Sequence, residues 1–123
     1  MGTIRSFRDL VAWQKAYALV LATYKLTQAF PRDEQYGLSQ QMRRAAVSVP
    51  SNIAEGWGRH SRVDYVRFLK TARGSMYELQ TQFSIAADLG FLPANHAIHA
   101  QAAEAERVLN GLIRSLHERP ETE

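Results

Sequence analysis

The chain has 123 residues and a formal net charge of +3, with 46% hydrophobic and 22% charged residues. This composition is typical of one globular domain with a single core and does not fit a disordered chain. The sequence contains no cysteine, which excludes disulfides and thiolate-bound metals. Because no apolar run reaches the ~18 residues of a membrane span, we expect a cytoplasmic protein.

The first helical pattern runs over about residues 7–29. Ser6, with Asp9 three residues later, matches a capping box and marks the helix start. The helix ends before Pro31, because the residue that precedes a proline avoids the α region. We expect an apolar stripe at helical spacing to face the core. Its members are Leu10, Trp13, Tyr17, Val20 or Leu21, and Tyr24.

The second helix, over about residues 33–57, has Asp33 or a neighbour as its cap and contains Pro50. Its predicted buried face consists of Leu38, Met42, Ala45, Ala46, Val49 and Ile53. Pro50 removes one backbone donor and crowds the carbonyl of Ala46, four residues back. Because the apolar period keeps its phase on both sides, we predict one bent helix. The alternative is two shorter helices broken at Val49.

Two more helices are predicted over about residues 62–89 and 95–117. Ser61 caps the third helix, and Gly90 ends it. Gly74, inside this helix, costs ~1 kcal/mol relative to alanine and therefore suggests a close approach by another helix. Asn95 is the expected cap of the fourth helix, and the residues from Pro120 onward form a frayed tail.

Four helices with short connections predict an all-α fold, an antiparallel up-and-down four-helix bundle. We expect residues 1–123 to form this single domain. No strand pattern, low-complexity segment or clear internal repeat interrupts the helical patterns.

Charge is distributed unevenly along the chain. Residues 38–77 carry seven basic and two acidic side chains, whereas residues 78–123 carry three basic and seven acidic ones. Clustered cations are what phosphate binding requires, so the basic centre predicts an RNA or DNA contact, although a charge run is also typical of a solvated face. The candidate residues are Arg43, Arg59, Arg62, Arg67, Lys70 and Arg73.

A polar stripe follows the second helix at the same spacing as its apolar face. Its residues are Arg44, Ser48, Asn52 and Glu55. We interpret the stripe as a structural polar network in which Arg43 or Arg44 meets Glu55 or Glu78 of the next helix, because buried polar groups need partners. The alternative interpretation is a small pocket or a partner contact.

No motif of known catalytic chemistry is present. The sequence contains no P-loop, no G-x-G-x-x-G and no G-x-S-x-G. His96 and His99 lie one turn apart and would need a third ligand such as Glu104 or Asp88 to hold a metal ion. We expect two exposed histidines instead, with no metal, no cofactor and no enzymatic activity.

Several segments carry a family resemblance. They are LVAWQKA at 10–16, YGLSQQMRRAAVSVPSNIAEGWGR at 36–59, FLKTARGSMYEL at 68–79 and LGFL at 89–92. Through them the chain resembles the four-helix bundle family named for proteins encoded in intervening sequences of bacterial 23S ribosomal RNA. The resemblance implies a ring-like homopentamer. It also implies a relation to the accessory protein of diversity-generating retroelements, which binds nucleic acid through basic surfaces.

The sequence therefore predicts a homo-oligomer that contacts RNA or DNA. The alternative is an adaptor or scaffold for protein interaction with no nucleic-acid role. Trp57, Val66, Phe91 and Leu92 fall outside the main apolar stripes, so we expect some of them to remain on the surface of a monomer. We expect the third and fourth helices to supply the contacts between copies.

Overall fold

The structure is a computed structural model, and it describes residues 3–35 and 37–117. These residues form four α-helices and no strand, which confirms the all-α prediction. The helices are α1 (Val11–Thr27), α2 (Leu38–Trp57), α3 (Arg62–Asp88) and α4 (Ala97–His117). Short 3₁₀ turns at Phe7–Asp9 and Arg32–Glu34 precede α1 and α2.

The four helices surround one core. Both α1 and α3 pack against α2 and against α4, whereas the described Cα atoms of α1 and α3 do not approach each other within 8 Å. These two helices therefore occupy diagonal corners of the bundle. The largest fully buried side chains include Leu19, Met42, Ile53, Leu69, Met76, Leu79, Phe83, Ile98 and Leu109.

The start of α1 differs from the expectation. The capping box forms, with Ser6 Oγ accepting from the backbone N–H of Arg8 and the Asp9 carboxylate accepting from that of Ser6. It caps the 3₁₀ turn, however, and α1 begins only at Val11. A capping box marks where a helical turn starts, but here that turn is followed by extended backbone at Leu10.

The predicted buried face of α1 is wrong for Tyr17 and Tyr24, which are 47% and 40% exposed. Of the alternatives Val20 and Leu21, Val20 packs against the core, whereas Leu21 is 57% exposed. The face that packs into the bundle consists of Ala12, Ala16, Leu19, Thr23 and Thr27. Because α1 is apolar around most of its circumference, helical spacing could not distinguish the inner face from the outer one.

The second helix runs unbroken through Pro50, which confirms the prediction of one helix. Its start is at Leu38 rather than near residue 33, and of the two options for its cap, Asp33 or a neighbour, the structure has the neighbour. The Glu34 side chain takes that role, with Oε1 accepting from the backbone N–H of Leu38 at 3.0 Å. Residues 32–34 form their own 3₁₀ turn, so α2 begins one turn later.

The ends of α3 follow from local chemistry. Ser61 Oγ accepts from the backbone N–H of Asp64 at 3.0 Å. At the other end, Gly90 adopts a φ of 83°, a conformation that favours glycine. The backbone N–H of Phe91 donates to the Ala86 carbonyl and that of Gly90 to the Ala87 carbonyl, which completes a Schellman motif.

Two further expectations need correction. A Cβ added at Gly74 would meet nothing within 4 Å, so none of the described helices approaches it closely. Val66 and Leu92 are buried, and Trp57 and Phe91 are half-buried against the core, so none of the four is an exposed apolar residue.

At the start of α4, the cap is supplied by His96 rather than Asn95. Its Nδ1 accepts from the backbone N–H of Ile98 at 3.0 Å. The predicted frayed tail beyond Pro120 lies outside the described residues.

Candidate nucleic-acid interface

The start of α3 brings four of the six candidate cations together. They are Arg59, Arg62, Arg67 and Lys70. The last three line an open groove of about 620 Å³ between the start of α3 and the end of α4. The other residues of this groove, called the α3–α4 groove below, are Val63, Val66, Thr71, Leu116 and His117.

Arg59 and Arg67 are each paired with a nearby carboxylate. Arg59 lies 3.0 Å from Glu55, and Arg67 lies 2.8 Å from Asp64. The hydrogen bond from Arg67 holds the pKa of Asp64 below its usual value. The guanidinium groups of Arg59 and Arg67 also lie 4.6 and 5.2 Å from the ring centroid of Phe68, which fixes them further.

Lys70 differs from these arginines. It is exposed and has no hydrogen bond or ion pair with any other residue that the structure describes. Its ammonium group therefore remains available for an anion at the rim of the α3–α4 groove.

The other two candidate cations connect helices. Arg43 Nε donates to Thr27 Oγ1 at 2.8 Å, and its guanidinium lies 4.7 Å from the centroid of the Tyr24 ring. Arg73 donates to Asn110 Oδ1 of α4 at 3.1 Å. The structure therefore does not gather all six cations on one surface, since helical spacing says nothing about which neighbouring acceptor each arginine finds.

The expected polar network forms only in part. Asn52 Nδ2 donates to the carbonyl and the hydroxyl of Ser48, at 2.8 and 3.0 Å. The Ser48 hydroxyl is also 2.8 Å from the hydroxyl of Ser75, which joins α2 to α3. Sequence reasoning did not assign Ser75 to the network. Its only signal was a small polar residue in the interior of a helix.

The charged members expected in that network lie elsewhere. Glu55 pairs with Arg59, four residues later in the chain, and Glu78 accepts a hydrogen bond from Gln82 Nε2 at 3.4 Å. Arg44 is exposed and lines a shallow depression with Tyr24 and Gln40. Among the described residues, neither Arg43 nor Arg44 forms an ion pair with Glu55 or Glu78, so this part of the prediction is wrong.

His96 and His99 have separate structural environments. His96 Nδ1 is used as the helix cap, and the half-buried His99 ring lies edge-on to Phe83 with a centroid distance of 6.3 Å. His99 is thus not the exposed side chain that we expected. Glu104 pairs with Arg107 and Lys15. Across the described ranges, no three His, Asp or Glu side chains are grouped closely enough to hold a metal ion.

Exposed apolar side chains form two faces that sequence reasoning did not find. The α1 outer face consists of Tyr17, Leu21 and Tyr24, and the α3 outer face of Tyr77 and Ile85. Within the described chain, α2 exposes one large apolar side chain, Val47, and α4 exposes none. The sequence alone could have indicated that α1 has more apolar residues than one buried face needs. Which of them remain exposed depends on where the neighbouring helices pack.

Comparison with known proteins bears directly on these features. The family model described as 23S rRNA-intervening sequence protein matches residues 8–111. The chain belongs to this family. The matched span of the 23S rRNA-intervening sequence protein family includes the four clustered cations and both outer faces. Leu116 and His117 of the α3–α4 groove lie beyond it.

A solved structure supports the fold. A crystal structure from Bacteroides thetaiotaomicron, of a protein with unknown function from the S23 ribosomal protein family, has a TM-score of 0.75 and 19% identity to this chain. The similarity covers 85% of this chain and 99% of that one. The comparison with curated proteins gave no match. None of the described helices is long and apolar enough to cross a lipid bilayer.

Proposed function

We propose that this protein is a non-enzymatic, cytoplasmic homo-oligomer that binds RNA or DNA through the cations at the start of α3. The observation that carries the nucleic-acid part is the cluster of Arg59, Arg62, Arg67 and Lys70 beside an open groove, with Lys70 unpaired among the described residues. Contacts between such cations and phosphates release counterions, so they support binding without requiring a defined base sequence.

The proposed bundle is antiparallel and up-and-down. Side-chain pairs between α3 and α4 support this direction: Arg73 bonds to Asn110, and Gln80, farther along α3, bonds to Glu106, which is earlier in α4. In this arrangement the start of α3 and the end of α4 lie at the same end of the bundle. The candidate cations then share that end with His117.

The experiment is filter binding of a structured RNA hairpin over a series of salt concentrations. We expect the double substitution Arg62→Gln/Lys70→Gln to weaken binding and to reduce the slope of log K against log salt by about 2, roughly one for each lost phosphate contact. The matched control is Lys25→Gln/Arg32→Gln, which removes two exposed cations at the far end of α1 and in the following turn. Absence of binding even at low salt, or equal slopes for both double variants, would contradict the proposal.

The proposal includes self-association through the two apolar outer faces. Exposed apolar side chains that repeat along one side of a helix are common at interfaces, and α1 and α3 lie on diagonal corners of the bundle. An α1 outer face that contacts the α3 outer face of another copy is a head-to-tail contact, which closes into a ring when the rotation permits. We propose a homopentamer, the order that the family resemblance implies, with contacts on α1 and α3 rather than on α3 and α4.

A protein-interaction adaptor with no nucleic-acid role is the second candidate. It is favoured by the same apolar faces and by the use of Arg43 and Arg73 within the chain. Pull-down from the native host with and without nuclease separates the candidates. Partners that survive nuclease treatment support the adaptor, and partners lost with the nucleic acid support the first proposal. The relation to the accessory protein of diversity-generating retroelements stays a prediction.

A further inference from the structure

The α3–α4 groove has an apolar floor that phosphate binding does not need. Val66 and Leu116 are nearly buried, and they form this floor together with Val63. Val63 is 69% exposed, which is the highest value for a large apolar side chain in the described chain. At about 620 Å³, the groove has the volume of a small-molecule site, for which roughly 300–1,000 Å³ is usual.

The rim of this groove is cationic. Arg62, Arg67, Lys70 and His117 line it, and none of the described side chains that line the groove is a carboxylate. The neighbouring carboxylate, Asp64, is held by Arg67 at 2.8 Å. Lys70 is therefore the side chain best placed to pair with an incoming anion, and its aliphatic stem can extend along the apolar floor.

The walls discriminate between kinds of anion. The described side chains that line the groove include no phenylalanine, tyrosine or tryptophan, so they offer no large aromatic ring on which a nucleobase could stack. Branched aliphatic side chains instead suit a flexible hydrocarbon chain. The floor and the rim together match a molecule with an aliphatic body and one anionic end.

We propose that the α3–α4 groove binds a free aliphatic carboxylate, with its chain against Val63, Val66 and Leu116 and its carboxylate at Lys70. This site goes beyond the proposed nucleic-acid function, because it uses the apolar floor as well as the cations. No reaction is implied; the site holds its ligand by charge pairing and by removing hydrocarbon from water.

Isothermal titration with decanoate below its micelle concentration tests the proposal. We expect saturable binding and roughly tenfold weaker binding of octanoate, because each buried methylene contributes about 0.8 kcal/mol. Lys70→Gln should weaken decanoate binding roughly two- to fivefold, as expected for an exposed ion pair. Val63→Ser should weaken it about tenfold through the loss of apolar contact.

Matched substitutions on α1 are the controls. Lys25→Gln and Val11→Ser alter an exposed cation and an exposed valine away from the groove, and they should leave decanoate binding unchanged. Val63→Ser should also leave RNA filter binding unchanged, which separates this site from the nucleic-acid proposal. The inference is overturned if Lys70→Gln and Val63→Ser bind decanoate like the wild type, if octanoate binds equally well, or if only anionic phospholipid vesicles bind.

Discussion

Tyr65 shows how one side chain can oppose the stability of the fold. Its ring packs edge-on to Trp57, with a centroid distance of 6.2 Å, while its buried hydroxyl has no hydrogen-bond partner among the residues that the structure describes. A buried hydroxyl without a partner carries a desolvation cost of about 1–3 kcal/mol. We therefore expect Tyr65→Phe to raise the free energy of unfolding by about 1 kcal/mol at neutral pH. Urea unfolding followed by circular dichroism measures the difference.

The same residue predicts a pH dependence. Burial raises the pKa of Tyr65 above its usual value near 10. The contribution of the protonated Tyr65 to stability is fully present below about pH 10, which is the pKa of tyrosine in the unfolded chain. It is lost as the pH rises through the higher pKa of Tyr65 in the folded protein.

We therefore expect the stability gap between Tyr65→Phe and the wild type to widen above about pH 10. Urea unfolding at several alkaline pH values measures it. Tyr77→Phe, at an exposed position, is the control and should follow the wild type. A gap of constant size across this range would show that the Tyr65 hydroxyl is solvated in the folded protein.

At the scale of the helix, Gly56 sets how closely α2 approaches α3. A Cβ at this position would lie 2.8 Å from Phe68 Cβ and 3.2 Å from the Tyr65 carbonyl oxygen. The first distance is shorter than real Cβ atoms tolerate, so Gly56→Ala must shift one helix against the other. We expect a loss of about 1–3 kcal/mol in the free energy of unfolding, measured by urea denaturation, despite the better helix propensity of alanine.

Gly74→Ala is the matched comparison on α3. This glycine is exposed, and a Cβ would meet nothing within 4 Å. Because alanine has a higher helix propensity than glycine and no steric penalty opposes it here, we expect the free energy of unfolding to rise by up to about 1 kcal/mol in dilute protein. If Gly56→Ala proved as stable as Gly74→Ala, the close approach of α2 and α3 would not be real.

At the scale of the whole molecule, the two outer faces predict a directional assembly. Leu21→Asp places a charge on the α1 outer face, and Ile85→Asp does so on the α3 outer face, at positions 57% and 45% exposed. Because both sites are on the surface, each variant should keep its helical circular dichroism. Light scattering at micromolar concentration should give the mass of a homopentamer for the wild type and the mass of a monomer for each variant.

Mixing the two variants distinguishes the kinds of interface. Each variant keeps the face that the other has lost, so a head-to-tail contact allows one intact interface and yields a heterodimer. If the interface were the same face on both copies, one of the two variants would still self-associate. A monomer mass for the wild-type protein would contradict the proposed assembly, and a dimer mass would contradict the proposed ring.

Local sequence was sufficient for the helices and several of their ends. The continuity of α2 through Pro50 followed from an apolar period that kept its phase, and the end of α3 from the glycine at position 90. Such features depend on neighbours within about a turn, so one chain segment contains the information. The segments from 10 to 92 were also enough to recognise the family, whose model covers residues 8–111.

The faces and the site depended on the tertiary structure. Tyr17 and Leu21 repeat with the same spacing as core residues, and only the positions of α2 and α4 leave them outside. Arg43 and Lys70 are both cations on helices, yet one reaches a threonine hydroxyl of α1 and the other remains unpaired in the described chain. Burial and pairing are relations between segments distant in sequence. A periodic pattern on one helix therefore cannot determine which of its faces meets a neighbour and which meets water.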